Sequence, residues 1–127
     1  MKITALYAGT LALMYLFLTF RTLNYRRTQR VEIGDGGDKQ LLRRIRVHGN
    51  FAEYVPIALL LMGFAESLHL SGTGLHVIGL LLLAGRIVHA YGLSQTPHIL
   101  PMRAGGMVAT MLAILGGALA CLWLALA

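Results

Sequence analysis

Apolar residues fill four stretches of the chain, 3–20, 54–65, 75–85 and 107–127, and most polar residues collect between them. At about 1.5 Å of rise per residue, roughly 20 helical residues cross a hydrocarbon core about 30 Å thick. The first and last stretches reach that length almost unaided, and the middle two reach it with their polar flanks. The pattern predicts an all-α integral membrane protein: a four-transmembrane-helix bundle forming one domain over residues 1–127, with helices at about 2–32, 39–70, 75–93 and 102–126. Nothing in "RTLNYRRTQRV" breaks the first helix before Gly34, so it is expected to run on among the headgroups. "GDGGD" (34–38), "SGTG" (71–74) and "SQTPHILP" (94–101) supply the turns. Pro56 removes a backbone donor and crowds the carbonyl of Ala52, which predicts a kink in the second helix. A cleaved signal peptide is the weaker reading of the first stretch, because no small-x-small site follows Phe20 and the run exceeds a usual signal core.

Composition supports the membrane reading. The 127 residues are 57% hydrophobic and 13% charged, against about 25% charged in an ordinary soluble domain. The net charge of +6 does not point to nucleic acid, since eight of the eleven Lys and Arg residues lie between Arg21 and Arg46. Such clustering follows the positive-inside rule. It puts the first connection in the cytoplasm, together with the third, which Arg86 and Arg103 flank, and both termini on the periplasmic side of what reads as a bacterial inner membrane. The single Cys121 forms no internal disulfide and reads as a small buried residue. No metal site is expected: the two aspartates of "GDGGD" are too few for calcium, and no second histidine completes a zinc pattern. Gly105, Ala109, Ala113, Gly117, Cys121 and Ala125 recur every four residues, a small-residue stripe expected at a helix contact.

The polar residues that enter the apolar segments are harder to place. In "RVHGNFAEYVP" (46–56), Arg46, Asn50 and Glu53 fall within about 40° of one direction on a helix, while His48 points elsewhere. Arg43 extends this stripe by a turn. Arg86 and His89 are neighbours on the third helix, and Arg103 opens the fourth. An ionised group at mid-bilayer costs about 2.5–3.5 kcal/mol on the insertion scale. An internal network, with Glu53 paired to an arginine and Asn50 bridging helices, is the structural explanation. Yet Arg46, Arg86 and Arg103 outnumber that single carboxylate, and surplus cations call for an anionic ligand. Glu66, His69 and His76 are expected at the outer interface, and His98 in solvent.

The run R-x-H-x-N-x-x-E-Y-x-P, with "RRTQRV", "GRIVH" and Arg103, resembles the signature of the MAPEG superfamily, the membrane-associated proteins of eicosanoid and glutathione metabolism. That superfamily includes microsomal glutathione transferases, leukotriene C4 synthase and microsomal prostaglandin E synthase. The resemblance covers the whole chain. It implies a homotrimer in the lipid bilayer, with glutathione as cosubstrate held between subunits and a lipophilic small-molecule substrate. It further implies that Arg26, Arg27, Arg46, His48, Asn50, Glu53, Tyr54, Arg86, His89 and Tyr91 bind the tripeptide. Arg103 is the implied catalytic residue, stabilising the thiolate. Leu93, Ala104 and Met107 stand where glutathione-using relatives often carry hydroxyls, and Gly49 where some carry a cation. Two other readings compete: a non-catalytic lipid-binding or scaffold member of the superfamily, and a small proton-coupled exporter built on Glu53.

Overall fold

A helix in lipid satisfies its own backbone polar groups except at its ends, so each end of this chain's helices needs a partner. The computed structural model describes residues 1–127 as four helices, α1 (Lys2–Gln29), α2 (Lys39–Ser67), α3 (Gly72–Ser94) and α4 (Leu100–Leu126), and no strand. The first N-terminus has no cap from its own sequence. Instead Glu66, at the end of α2, accepts the N–H groups of Ile3 (3.0 Å) and Thr4 (2.8 Å) and lies 3.6 Å from the terminal ammonium. This is the only ion pair in the chain. The interfacial glutamate expected from the sequence therefore joins two helices.

The other end of α1 stops three residues short of the predicted bound. Arg30 adopts the left-handed conformation (φ 53°), its N–H bonds the carbonyl of Arg27, and the N–H of Val31 reaches that of Arg26. This six-to-one and five-to-two pairing normally employs glycine, and the absence of one at Arg30 is why no stop signal was legible before Gly34. His69 (φ 65°) closes α2 in the same way, at Ser67 rather than Leu70. The following Ser71 caps Gly74, so α3 begins three residues earlier than expected, inside "SGTG". "GDGGD" is a turn: Gly34, Gly36 and Gly37 all have positive φ. Its Asp38 caps α2 by accepting from Gln40 (2.7 Å) and Leu41 (3.1 Å), and it also accepts the Tyr25 hydroxyl (3.0 Å). The helix α2 continues through Pro56 without interruption.

In the bundle, α2 and α3 form a central pair, with α1 and α4 on its two sides and not touching each other. Leu11, Leu41, Val47, Met62 and Leu82 are fully buried between helices. The outer surface is apolar as well: Leu13, Phe17, Leu122 and Trp123 are exposed, and only 26 of 127 residues are buried, an inside and outside alike that suit lipid. By length and composition α1, α3 and α4 are apolar enough to cross a membrane. The polar first half of α2 keeps it below that standard, so the four-span count from sequence holds as four helices, three of them long apolar spans.

With little hydrophobic drive between helices in lipid, close approach has to hold them. The most extensive contact joins α3 and α4, and glycine makes it possible. A Cβ on Gly106 would fall 2.5 Å from the carbonyl oxygen of Gly85, and one on Gly92 would fall 2.7 Å from the amide nitrogen of Arg103. The contact face of α4 is Gly106, Thr110, Ala113 and Gly117, so the predicted small-residue stripe is half right. Gly105 meets nothing within 4 Å and Ala125 is exposed, whereas Cys121 donates to the Leu61 carbonyl at 3.2 Å.

Gly106→Ala is expected to lower stability in detergent by about 1–3 kcal/mol, the usual cost of overpacking. Gly105→Ala, at an open position, is expected to stay within about 0.5 kcal/mol of the parent; chemical unfolding of both variants checks the contrast. Asp38 provides a second test. Its carboxyl sits below the ordinary range, chiefly because the Leu41 N–H donates to it, with the Tyr25 hydroxyl and the Gln40 N–H adding to the effect. The resulting stabilisation is fully present above the unfolded value of about 3.9 and is lost as pH falls through the lower folded value. Asp38→Asn keeps a capping oxygen but does not titrate. Thermal midpoints of parent and variant are therefore expected to differ most at neutral pH and to converge below pH about 4.

Candidate functional site

Two structural features bring the polar residues of α2, α3 and α4 to one end of the bundle. The cap at Asp38 starts α2 with Lys39, so that Arg43, Arg46 and Asn50 follow at near-helical repeats along one side. The glycine contact draws the first turn of α4 against the last turns of α3, which places Arg103 beside His89. Between them lies an open cleft of about 490 Å³. Four cations line it, Lys39, Arg43, Arg46 and Arg103, together with Asn50, His89 and His98, and no carboxylate does.

Arg86 sits behind this cleft and is wholly buried. Its guanidinium donates to the side-chain oxygen of Asn50 at 2.6 Å and to the Thr110 hydroxyl at 3.3 Å, and reaches the Met107 sulfur at 3.8 Å. The ring of Phe51 lies 5.9 Å from its central carbon. Every partner is neutral, and its Nε has none. Asn50 thus bridges α2 and α3, as the network reading anticipated, but no acid compensates the charge. His89 is nearly as buried: one ring nitrogen lies 2.9 Å from the Arg103 carbonyl oxygen and the other, Nε2, has no partner.

The structure therefore gathers Arg46, Asn50, His89 and Arg103 in one cleft, with Arg86 immediately behind. The remaining sequence-predicted residues stand apart within the single chain. Glu53 is exposed, and its carboxylate folds back to within 3.9 Å of where a Cβ on Gly49 would be. It forms no ion pair with Arg46, which helical spacing had suggested as its neighbour. Tyr54 is half-buried beyond it. His48 faces α1, bonded to Thr19 at 3.0 Å and stacked on Tyr15 at 4.8 Å. Tyr91 borders a different groove, between α1 and α3. Arg26 donates to the Gly34 carbonyl at 2.7 Å, and Arg27 is exposed on the same stretch of α1.

Sequence reasoning missed Lys39, His98 and Thr110. His98, expected in solvent, is half-buried and lines the cleft because the 95–99 connection folds back, with the Ile99 N–H on the Gly92 carbonyl at 2.9 Å. Thr110 did carry a signal, as the only hydroxyl residue of α4. Its hydroxyl oxygen accepts from Arg86 while its proton goes to the Gly106 carbonyl at 2.9 Å.

The MAPEG family model matches residues 4–123. Two relatives called "Inner membrane protein YecN", from Escherichia coli strains K12 and O6:H1, are each 41% identical over 121 residues, spanning 95% of this chain and 91% of their own. The matched span takes in nearly the whole chain and part or all of each helix, and the chain belongs to the MAPEG family.

Proposed function

We propose that the chain is a glutathione-dependent membrane transferase or peroxidase. It works as a homotrimer in a bacterial inner membrane, with its termini periplasmic and the cleft open towards the cytoplasm. The observation that carries this reading is the cleft with four cations and no acid. Glutathione has two carboxylates and, once activated, a thiolate, so the donor set fits three of its charged groups. Its ammonium requires a carboxylate, and Glu53 is exposed and unpaired on α2, one turn beyond Asn50. In a trimer, α1 of a neighbouring subunit brings Arg27 and Arg26 to the same ligand. The inner-membrane name of the relatives and the cation-rich connections support the placement.

Each cleft residue then has a task. Arg46, Arg43 and Lys39 hold carboxylates, and Asn50, locked by Arg86, presents its amide in a fixed orientation. Arg103 holds the sulfur. An ordinary thiol with a pKa of about 8.5 is only a few per cent ionised at neutral pH, and lowering that value by about 2.5 units takes about 3.4 kcal/mol of preferential anion stabilisation. A guanidinium held against the sulfur, once the bound tripeptide has displaced water from the cleft, supplies energy of that order. The thiol proton leaves to water at the cleft mouth. The sulfur then displaces a leaving group from an electrophilic carbon, or attacks the outer oxygen of a hydroperoxide to give a sulfenic acid and an alcohol, after which the thiol of a second glutathione displaces water from the sulfenic acid to form the disulfide.

A second reading has its own support. An apolar groove of about 420 Å³ between α1 and α2, walled by Leu11, Tyr15, Phe51, Val55 and Leu59, suits a lipid-binding member without catalysis. Ultraviolet difference absorbance separates the two. Adding glutathione to purified protein is expected to produce the thiolate band, Arg103→Ala to abolish it while calorimetric binding persists, and Arg46→Ala to weaken binding. Turnover with a lipophilic electrophile is expected to fall by about 10²–10³ in Arg103→Ala, as when one anion-stabilising donor is lost elsewhere. Binding without a thiolate band favours the lipid-binding reading, and no heat of binding overturns both the site and its ligand.

A further inference from the structure

A second cationic site lies outside the cleft. Arg21 and Asn24 on α1 and Arg44 on α2 border a groove of about 480 Å³, with Tyr25 and Thr28 beside them and Phe17 and Phe20 at its apolar end. Arg44 is fixed twice: it donates to the Arg21 carbonyl at 3.3 Å, and its guanidinium lies 4.4 Å over the Tyr25 ring. Asp38 is close enough to Arg44 to feel its charge, but its oxygens are occupied by the first turn of α2 and the Tyr25 hydroxyl, and it forms no ion pair with either arginine. Two guanidinium groups thus share one groove, and neither is ion-paired. They stand where the apolar run of α1 ends and the cation-rich connection begins, the depth of lipid headgroups.

The groove continues inward. Phe17 and Arg21 also border an apolar channel between α1 and α3, with Met14, Leu18, Ile87 and Ala90 along it. A ligand matching this shape is anionic at one end and hydrocarbon at the other.

We propose that Arg21 and Arg44 bind the phosphate of an anionic phospholipid, with one acyl chain lying along Phe17 and the α1–α3 channel. Paired guanidinium groups match phosphate oxygens, and basic pockets between membrane helices on the cytoplasmic side are suited to such headgroups. Zwitterionic lipids offer the same phosphate with a cationic group beside it, which the two arginines disfavour. The site is independent of the glutathione reading, since neither arginine lines the cleft.

Lipid binding to the full-length protein in detergent tests this, by native mass spectrometry with phosphatidylglycerol, phosphatidylcholine of the same acyl chains, and inorganic phosphate. Phosphatidylglycerol is expected to bind more tightly than phosphatidylcholine. Arg21→Gln, which leaves the carbonyl contact of Arg44 intact, is expected to weaken it about fivefold, corresponding to about 1 kcal/mol per cation. Retained phosphatidylcholine binding shows that the variant is folded, and Arg44→Gln is expected to behave alike. Arg30→Asn removes a cation outside the groove from a position whose positive φ asparagine tolerates, and is expected to leave affinity unchanged. Equal binding of the two lipids, an equal loss in Arg30→Asn, or full competition by inorganic phosphate at the lipid's own concentration would each overturn the proposal.

Discussion

Arg86 is the group on which the rest of the bundle depends. A guanidinium shut off from solvent, with no carboxylate beside it, keeps its charge only if neutral dipoles point at it, and here they come from two other helices. Asn50 on α2 and Thr110 on α4 must both reach α3, so three helices are held in one register by one side chain. Removing either partner leaves donors unpaired in a medium where neither water nor lipid replaces them. The close approach of α3 to α4 at Gly85 and Gly106 follows from the same requirement, because Thr110 lies one turn beyond Gly106 and reaches Arg86 only when the backbones nearly touch.

That geometry sorts the other charges. With Asn50 committed inward to Arg86, the cations around it have no acid to meet: Arg46 and Arg103 line the cleft, as does Arg43, which also donates to the Gln95 carbonyl at 2.6 Å. At the opposite end, the half-buried carboxylate of Glu66 is spent on the N-terminus of α1. The molecule therefore has an end closed by its own ion pair and an end left electrostatically open. Ligand chemistry belongs at the open end, and both the cleft and the lipid groove are found there.

Four helices, their order and the polar stripe of α2 were legible from hydropathy and spacing, because length and period are local properties. Helix ends were less so. Arg30 and His69 take left-handed conformations that glycine usually marks, and no pattern in the sequence announces them. The cleft was legible where residues share a helix face, as Arg46 and Asn50 do, or where a motif carried them, as with His89 and Arg103. It was not legible for His98, whose position depends on how a five-residue connection folds back, nor for Tyr91, whose neighbour on its face is α1 rather than α4. Helical spacing put Glu53 on the same stripe as Arg46 and Asn50, and the family resemblance added Arg26 and Arg27; one chain brings none of the three to the cleft.

Those three residues share a property that bears on assembly. Glu53 is an ionisable group without a partner, on a helix whose second half is apolar and whose neighbours Ala52, Pro56 and Ile57 are exposed. Lipid is a poor environment for it, by about 2.5 kcal/mol or more towards mid-bilayer. The first half of α2 is too polar to be a membrane span by itself. A helix at the centre of the bundle that nevertheless shows ionised groups on its outward face is incomplete as a single chain, and a ligand ammonium or a neighbouring subunit's arginine answers that deficit without any change in the fold. The proposed trimer rests on this electrostatic incompleteness of α2, with the family resemblance as a second and separate support.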